Sequence, residues 1–158
     1  MQEVEITDEM LLEARKSAKE LGKLNNSIEK GAGNLAGFLG EIIVRETFGY
    51  KSESTYDYDL VDQSGLKIDV KTKRTTVTPQ PNYECSVAAF NTKQKCDKYV
   101  FVRVLNDLSK GWILGEMNKG DYFESATYMP KGKIDPANGF RVKANCYNVA
   151  IQNLNECS

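Results

Sequence analysis

The strongest constraint on this chain is the stretch Asp57 to Lys71, read as Asp-Tyr-Asp-Leu-Val-Asp-Gln-Ser-Gly-Leu-Lys-Ile-Asp-Val-Lys. Leu60 and Val61 on one side, and Leu66, Ile68 and Val70 on the other, give two short strands of largely β-branched character. Gly65 closes the segment between them, where a three-residue loop needs a left-handed residue that only glycine supplies without strain. A loop over Gln63 to Gly65 sets the register: Asp62 faces Leu66, Asp59 faces Asp69, and Asp57 faces Lys71. Side chains alternate along a strand, so Asp57, Asp59, Asp69 and Lys71 are expected on one face of a β-hairpin.

Opposed cross-strand side chains lie roughly 4.5–5.5 Å apart at Cβ, and like charges there destabilise the pair. A proton shared between Asp59 and Asp69 would relieve the repulsion. A divalent cation would relieve it further, because Mg²⁺ takes carboxylate oxygens and needs only one or two of them. Lys71, two residues beyond Asp69, would lie within reach of a group bound to that ion. The competing interpretation is an exposed hairpin face with solvated charges. The register, with Lys71 beside it, favours the metal site.

The composition narrows the chemistry. The chain has 158 residues, a length that predicts one domain, here 1–158: an N-terminal helix over 8–22, a core over about 34–128, and a C-terminal loop and strand over 129–158. There is no histidine, which excludes a Ser-His-Asp or Cys-His nucleophile pair, histidine-ligated zinc and histidine-based ribonuclease chemistry. Cysteines at 85, 96, 146 and 157 show neither Cys-x-x-Cys nor zinc-like spacing. With no secretory start they are read as reduced thiols of a cytoplasmic protein. No apolar run approaches the roughly 18–20 residues that span a bilayer, so no membrane partner is expected. No organic cofactor is expected either.

Helical spacing and caps predict a first helix from Thr7 to Gly22 and a second from an Asn34 cap to Phe48, terminated by Gly49. A connection over 23–33 separates them. Leu35, Phe38, Leu39, Ile42 and Ile43 form the buried stripe of the second helix, and Gly37 and Gly40 imply something packed closely against it. Short strands are expected over 84–89 and 111–117, with a turn of helix over 91–95. The strongest apolar run, Tyr99 to Leu105, reads as a central strand. Asn118 is expected to cap a short helix through Glu124, residues 129–140 to form a loop, and Cys146 to Leu154 a final strand or strand-to-tail segment. The fold class is therefore α/β with a mixed sheet flanked by helices.

Gly40-Glu41 on a helix, Tyr58-Asp59-Leu60-Val61, and Ile68-Asp69-Val70-Lys71 together resemble the restriction-endonuclease-like, or PD-(D/E)XK, nuclease superfamily. The likeness is nearest to archaeal Holliday-junction resolvases and small phage-encoded nucleases, for which the compartment would be the host cytoplasm. It covers roughly residues 34–74, and more loosely 95–102. What it implies is a four-stranded mixed sheet between helices and Mg²⁺- or Mn²⁺-dependent cleavage of DNA phosphodiesters. Glu41 would be the helix acid, Asp59 and Asp69 the motif acids, and Lys71 the motif lysine acting on the attacking water. Asp59, Asp69 and the Val70 carbonyl would bind the ion, with Glu41 as a direct or water-mediated ligand. Tyr58 stands where the motif has proline. Asp57 competes with Asp59, and Glu46 with Glu41. On an ideal wheel Glu46 falls nearer the middle of the apolar stripe, and the family pattern rather than periodicity selects Glu41. Family members are often dimers, so a homodimer is implied as well.

DNA contact would come from local charge. Between Gln63 and Lys98 seven basic residues outnumber three acidic ones, within a chain of net charge −1. Lys73, Arg74 and Thr75 follow the motif strand and suit phosphate oxygens, with Lys93 and Lys95 further along. The alternative to an enzyme is a catalytically inactive nucleic-acid-binding or assembly protein with the same fold.

Overall fold

The computed structural model describes residues 1–25, 32–136 and 139–157. Its elements in order are β1 (Gln2–Glu5), α1 (Asp8–Asn25), α2 (Ala32–Phe48), β2 (Lys51–Ser52), β3 (Leu60–Val61), β4 (Lys67–Thr75), β5 (Glu84–Ala88), β6 (Lys98–Leu105), β7 (Lys110–Asn118), α3 (Lys119–Ser125), β8 (Thr127–Met129) and β9 (Cys146–Ala150). Single 3₁₀ turns follow β5 at Ala89–Asn91 and β9 at Ile151–Asn153.

The first helix starts as its sequence demands. Thr7 Oγ1 accepts the Met10 N–H at 3.2 Å, and Asp8 and Glu9 occupy the first turn, at the positive end of the helix dipole. It runs on to Asn25, past the expected stop at Gly22, because one helical glycine costs only about 1 kcal/mol relative to alanine. The second helix begins at Ala32, so Asn34 lies inside it rather than capping it. Of the connection expected over 23–33, residues 26–31 lie outside the described residues. Gly49 ends the helix with φ +71°, its N–H donating to Arg45 O at 2.8 Å.

Six strands form the main sheet in the order β1-β7-β6-β4-β3-β2, antiparallel throughout except for the parallel pair β4–β6. A separate three-stranded antiparallel sheet has the order β5-β9-β8. Strand alternation sorts the core into two layers. Ile68 and Val70 of β4, with Val100, Val102 and Val104 of β6, pack beneath Leu39, Ile42 and Ile43 of α2. Tyr99 and Phe101 of β6, with Trp112, Leu114 and Met117 of β7, pack on the other face with Tyr122 of α3, Cys85 and Val87 of β5 and Val149 of β9. Fully burying each such side chain contributes about 1.5–3 kcal/mol, and β6, buried on both faces, is the centre of the molecule.

The class is thus mixed α and β, with helices α1 and α2 covering one face. The second face is covered by the small sheet and α3, which differs from the expected helical flanking on both sides. Strands β1, β2 and β8 were not foreseen. The helical turn expected over 91–95 forms earlier, at Ala89–Asn91, and Asn118 precedes α3 without a side-chain capping bond. Among the described residues no helix is long and apolar enough to cross a membrane.

Candidate active site

The hairpin places the first two acids. Gly65 sits at φ +88°, its N–H bonded to Asp62 O, and Asp62 N–H bonds Leu66 O, so the loop is Gln63 to Gly65. The β3–β4 ladder pairs Val61 with Lys67 and Leu60 with Ile68, the register expected from the loop. It stops there, one residue short of the expected Asp59–Asp69 pair. Asp59 N–H also donates to Ile68 O, so Asp59 and Leu60 both stand against Ile68, an irregularity of the bulge kind. Asp59 continues the contact with its side chain instead, Oδ2 accepting the Val70 N–H at 2.8 Å. The N–H and C=O of one strand residue point to the same edge, so the Val70 carbonyl shares this unpaired edge with Asp59.

Glu41 arrives from α2. Gly40 lets it approach: a Cβ built on Gly40 would lie 1.8 Å from Thr72 Oγ1 and 2.9 Å from Thr72 Cβ, so only a residue without a side chain lets α2 lie this close to β4. Gly37 has nothing within 4 Å of such a Cβ, contrary to the expectation that both glycines face a packed neighbour.

The acids form a continuous chain. Glu41 and Asp59, and Asp59 and Asp69, stand close enough for each to shift the other's titration, and Asp69 Oδ2 lies 2.6 Å from Lys71 Nζ. Buried carboxyl groups this close together favour their protonated forms. Burial, followed by the Glu41 charge, raises Asp59 to about 7, against the pull of the Val70 N–H. Burial raises Asp69 to about 7 as well, the Lys71 ammonium drawing it down and Asp59 pushing it up. Glu41 is raised, by burial first, with Asp59 and Arg45 opposing and Asp69 assisting.

Lys71 Nζ is also bound by Gln94 Oε1 at 3.0 Å and stands 5.9 Å from the centroid of the Tyr99 ring. Gln94 is buried, and its Nε2 donates to Tyr56 O at 2.8 Å. This residue was missed from the sequence, where a glutamine in the polar run Asn-Thr-Lys-Gln-Lys carries no signal of its own.

Both competing acids fall away. Asp57 does not face Lys71; its Oδ1 accepts the Lys95 N–H at 2.9 Å, because the strand pairing has ended before residue 57. Glu46 does not lie in the apolar stripe: it is exposed and paired at 2.7 Å with Arg45, which also makes two bonds to Glu13 of α1.

The basic residues divide. Strand alternation puts Lys73 on the face of Asp69 and Lys71, and Arg74 on the opposite one, so the two do not form one phosphate clamp. Thr75 is buried and its hydroxyl donates to Val77 O at 2.7 Å, which removes it from phosphate contact. Lys93 and Lys95 are exposed on the segment that carries Gln94. Lys98, counted in the basic segment, is buried and paired with Glu116 at 2.8 Å.

The site therefore offers carboxylate and carbonyl oxygens only, a donor set suited to a hard cation such as Mg²⁺ or Mn²⁺. Among the described residues no group of three or more Cys, Asp or Glu side chains is placed to hold a metal ion. The Lys71 ammonium stands against Asp69 and burial favours the protonated forms of Asp59 and Asp69, and those positive charges are what a cation would replace. Compared with known proteins, the chain matches no family model and no curated protein.

Proposed function

We propose that this protein is a divalent-cation-dependent deoxyribonuclease with a PD-(D/E)XK-type site. One observation carries the reading: Asp59 reaches from the hairpin arm to the Val70 N–H, beside the Asp69–Lys71 ion pair on the next strand, with Glu41 of α2 near enough to raise Asp59. Asp59, Asp69 and the Val70 carbonyl would hold Mg²⁺ or Mn²⁺, and Glu41 would hold it directly or through water. The bound ion supplies charge neutralisation at the phosphoryl group and a more acidic water.

The chain's own groups do the rest. Asp59 and Asp69, whose protonated forms burial favours, would release their protons to water on holding the cation. Lys71 Nζ has three N–H donors, donates one to Gln94 and is ion-paired with Asp69, which leaves a donor to orient the attacking water or stabilise a transition-state oxygen. Lys93 and Lys95 meet the DNA backbone beside the site. The main sheet and α2 would form the restriction-endonuclease-like core.

Wild type should nick supercoiled plasmid in Mg²⁺ or Mn²⁺ and be silent in excess chelator. Asp69→Ala and Lys71→Ala, confirmed folded by circular dichroism, should each lose on the order of 10²-fold or more. Cleavage by both variants at the wild-type rate would defeat the proposal. The Asp69–Lys71 ion pair favours a second reading, a non-catalytic nucleic-acid-binding protein whose acids are purely structural. That reading expects DNA binding without cleavage in any metal.

A further inference from the structure

We infer that Gln94 is the positioning residue that keeps the Lys71 ammonium at the site once a cation claims Asp69; the inference rests on the nuclease reading above. In the cation-free chain Lys71 has two polar partners, Asp69 Oδ2 at 2.6 Å and Gln94 Oε1 at 3.0 Å. A cation held by Asp69 takes the first partner away and repels the ammonium at the same time. Unheld, a lysine side chain swings into water on its flexible four-carbon stem. Gln94 Oε1 is the partner that remains.

The orientation of the Gln94 amide is fixed by chemistry. Tyr56 O accepts only, so the amide nitrogen must face it; Lys71 Nζ donates only, so the amide oxygen must face that. Gln94 is 8 % exposed, and its own carbonyl accepts from Lys119 Nζ, so both its side chain and its backbone are held. The same amide ties the loop carrying Tyr56 to the segment carrying Lys93 and Lys95. A purely structural tether of that loop is therefore the alternative role to be separated.

Two variants of the full chain separate them. Gln94→Met keeps the length and removes both bonds. Gln94→Glu keeps an acceptor for Lys71 and loses the donor to Tyr56 O. On plasmid DNA in Mg²⁺, Gln94→Met should lower kcat by about 10–100-fold with KM nearly unchanged, as expected for a displaced catalytic group. Gln94→Glu should recover most of that loss. If Gln94→Glu is as impaired as Gln94→Met, activity follows the Tyr56 tether and the inference fails. A second arm needs neither cleavage nor cation: lysine ammonium NMR in an Asp69→Asn background, where the ion pair is gone. A sheltered Lys71 ammonium signal should persist in Asp69→Asn and vanish in Asp69→Asn/Gln94→Met. Persistence in both overturns the role of Gln94, whereas a wild type that cleaves nothing overturns the nuclease reading by itself.

Discussion

Asp59 and Asp69 hold protons in the folded chain to about 7, against 3.8 for an unperturbed aspartate. Burial is the first cause for both, compounded by Glu41 at Asp59 and by Asp59 at Asp69. The linkage sign follows from the direction of these shifts. Over the interval from about pH 4 to pH 7 the folded state binds more protons than the unfolded one, so these groups stabilise at low pH and that contribution is lost as pH rises. Cation-free protein should therefore lose thermal stability through this window, each kcal/mol moving the midpoint of a domain this size by about 2–4 °C. In Asp59→Asn/Asp69→Asn the loss should flatten, and melts followed by circular dichroism at a series of pH values check it. An equally steep loss in the double variant would mean that these acids are not the groups whose proton binding is raised on folding. Lys71 and Gln94 belong to the same scale, and they differ in legibility. Lys71 stands at a motif position and was readable, whereas Gln94 acts only through a contact across the fold that no local pattern announces.

At the scale of elements, one helix and one hairpin set the site. Helix α2 meets β4 through Gly40, where an added Cβ would strike Thr72. Gly40→Ala should destabilise the protein by about 1–3 kcal/mol through overpacking. Gly37→Ala, with open space around it, should stabilise by about 0.5–1 kcal/mol through helix propensity. Urea unfolding of the pair measures both signs; equal effects would refute the close approach at Gly40. The hairpin was legible because its loop length and Gly65 fix the pairing, and alternation then aims the aspartates. The end of pairing at Leu60 was not legible, since a bulge is set by tertiary contacts of Asp59 and not by strand propensity. The opposite faces of Lys73 and Arg74 followed from the same alternation, once β4 was known to continue to Thr75. Strand β1 escaped notice because Gln2–Glu5 is polar and largely exposed, and it forms by adding to the edge of β7.

The whole molecule carries a net charge of −1, so any affinity for DNA must come from where its cations lie. Lys93 and Lys95 are exposed on the segment beside Lys71, while Lys98 is consumed inside by Glu116 and Asp62. Lys93→Glu/Lys95→Glu should raise KM for DNA severalfold, with kcat little changed and the salt dependence of binding shallower by roughly two phosphate contacts. An unchanged KM in steady-state assays would move the DNA path elsewhere. The layered architecture was readable from the apolar run of β6 and the stripe of α2. The small sheet of β5, β9 and β8 was not, because its strands are short and far apart in sequence. The account as a whole turns on whether the Asp59–Asp69 edge accepts a hard cation. The direct measurement is calorimetric titration of Mn²⁺ at about pH 8 into wild type and into folded Asp59→Asn. Binding at one site in wild type that is lost in Asp59→Asn is the predicted result. No binding in wild type, or equal binding in both, would contradict it.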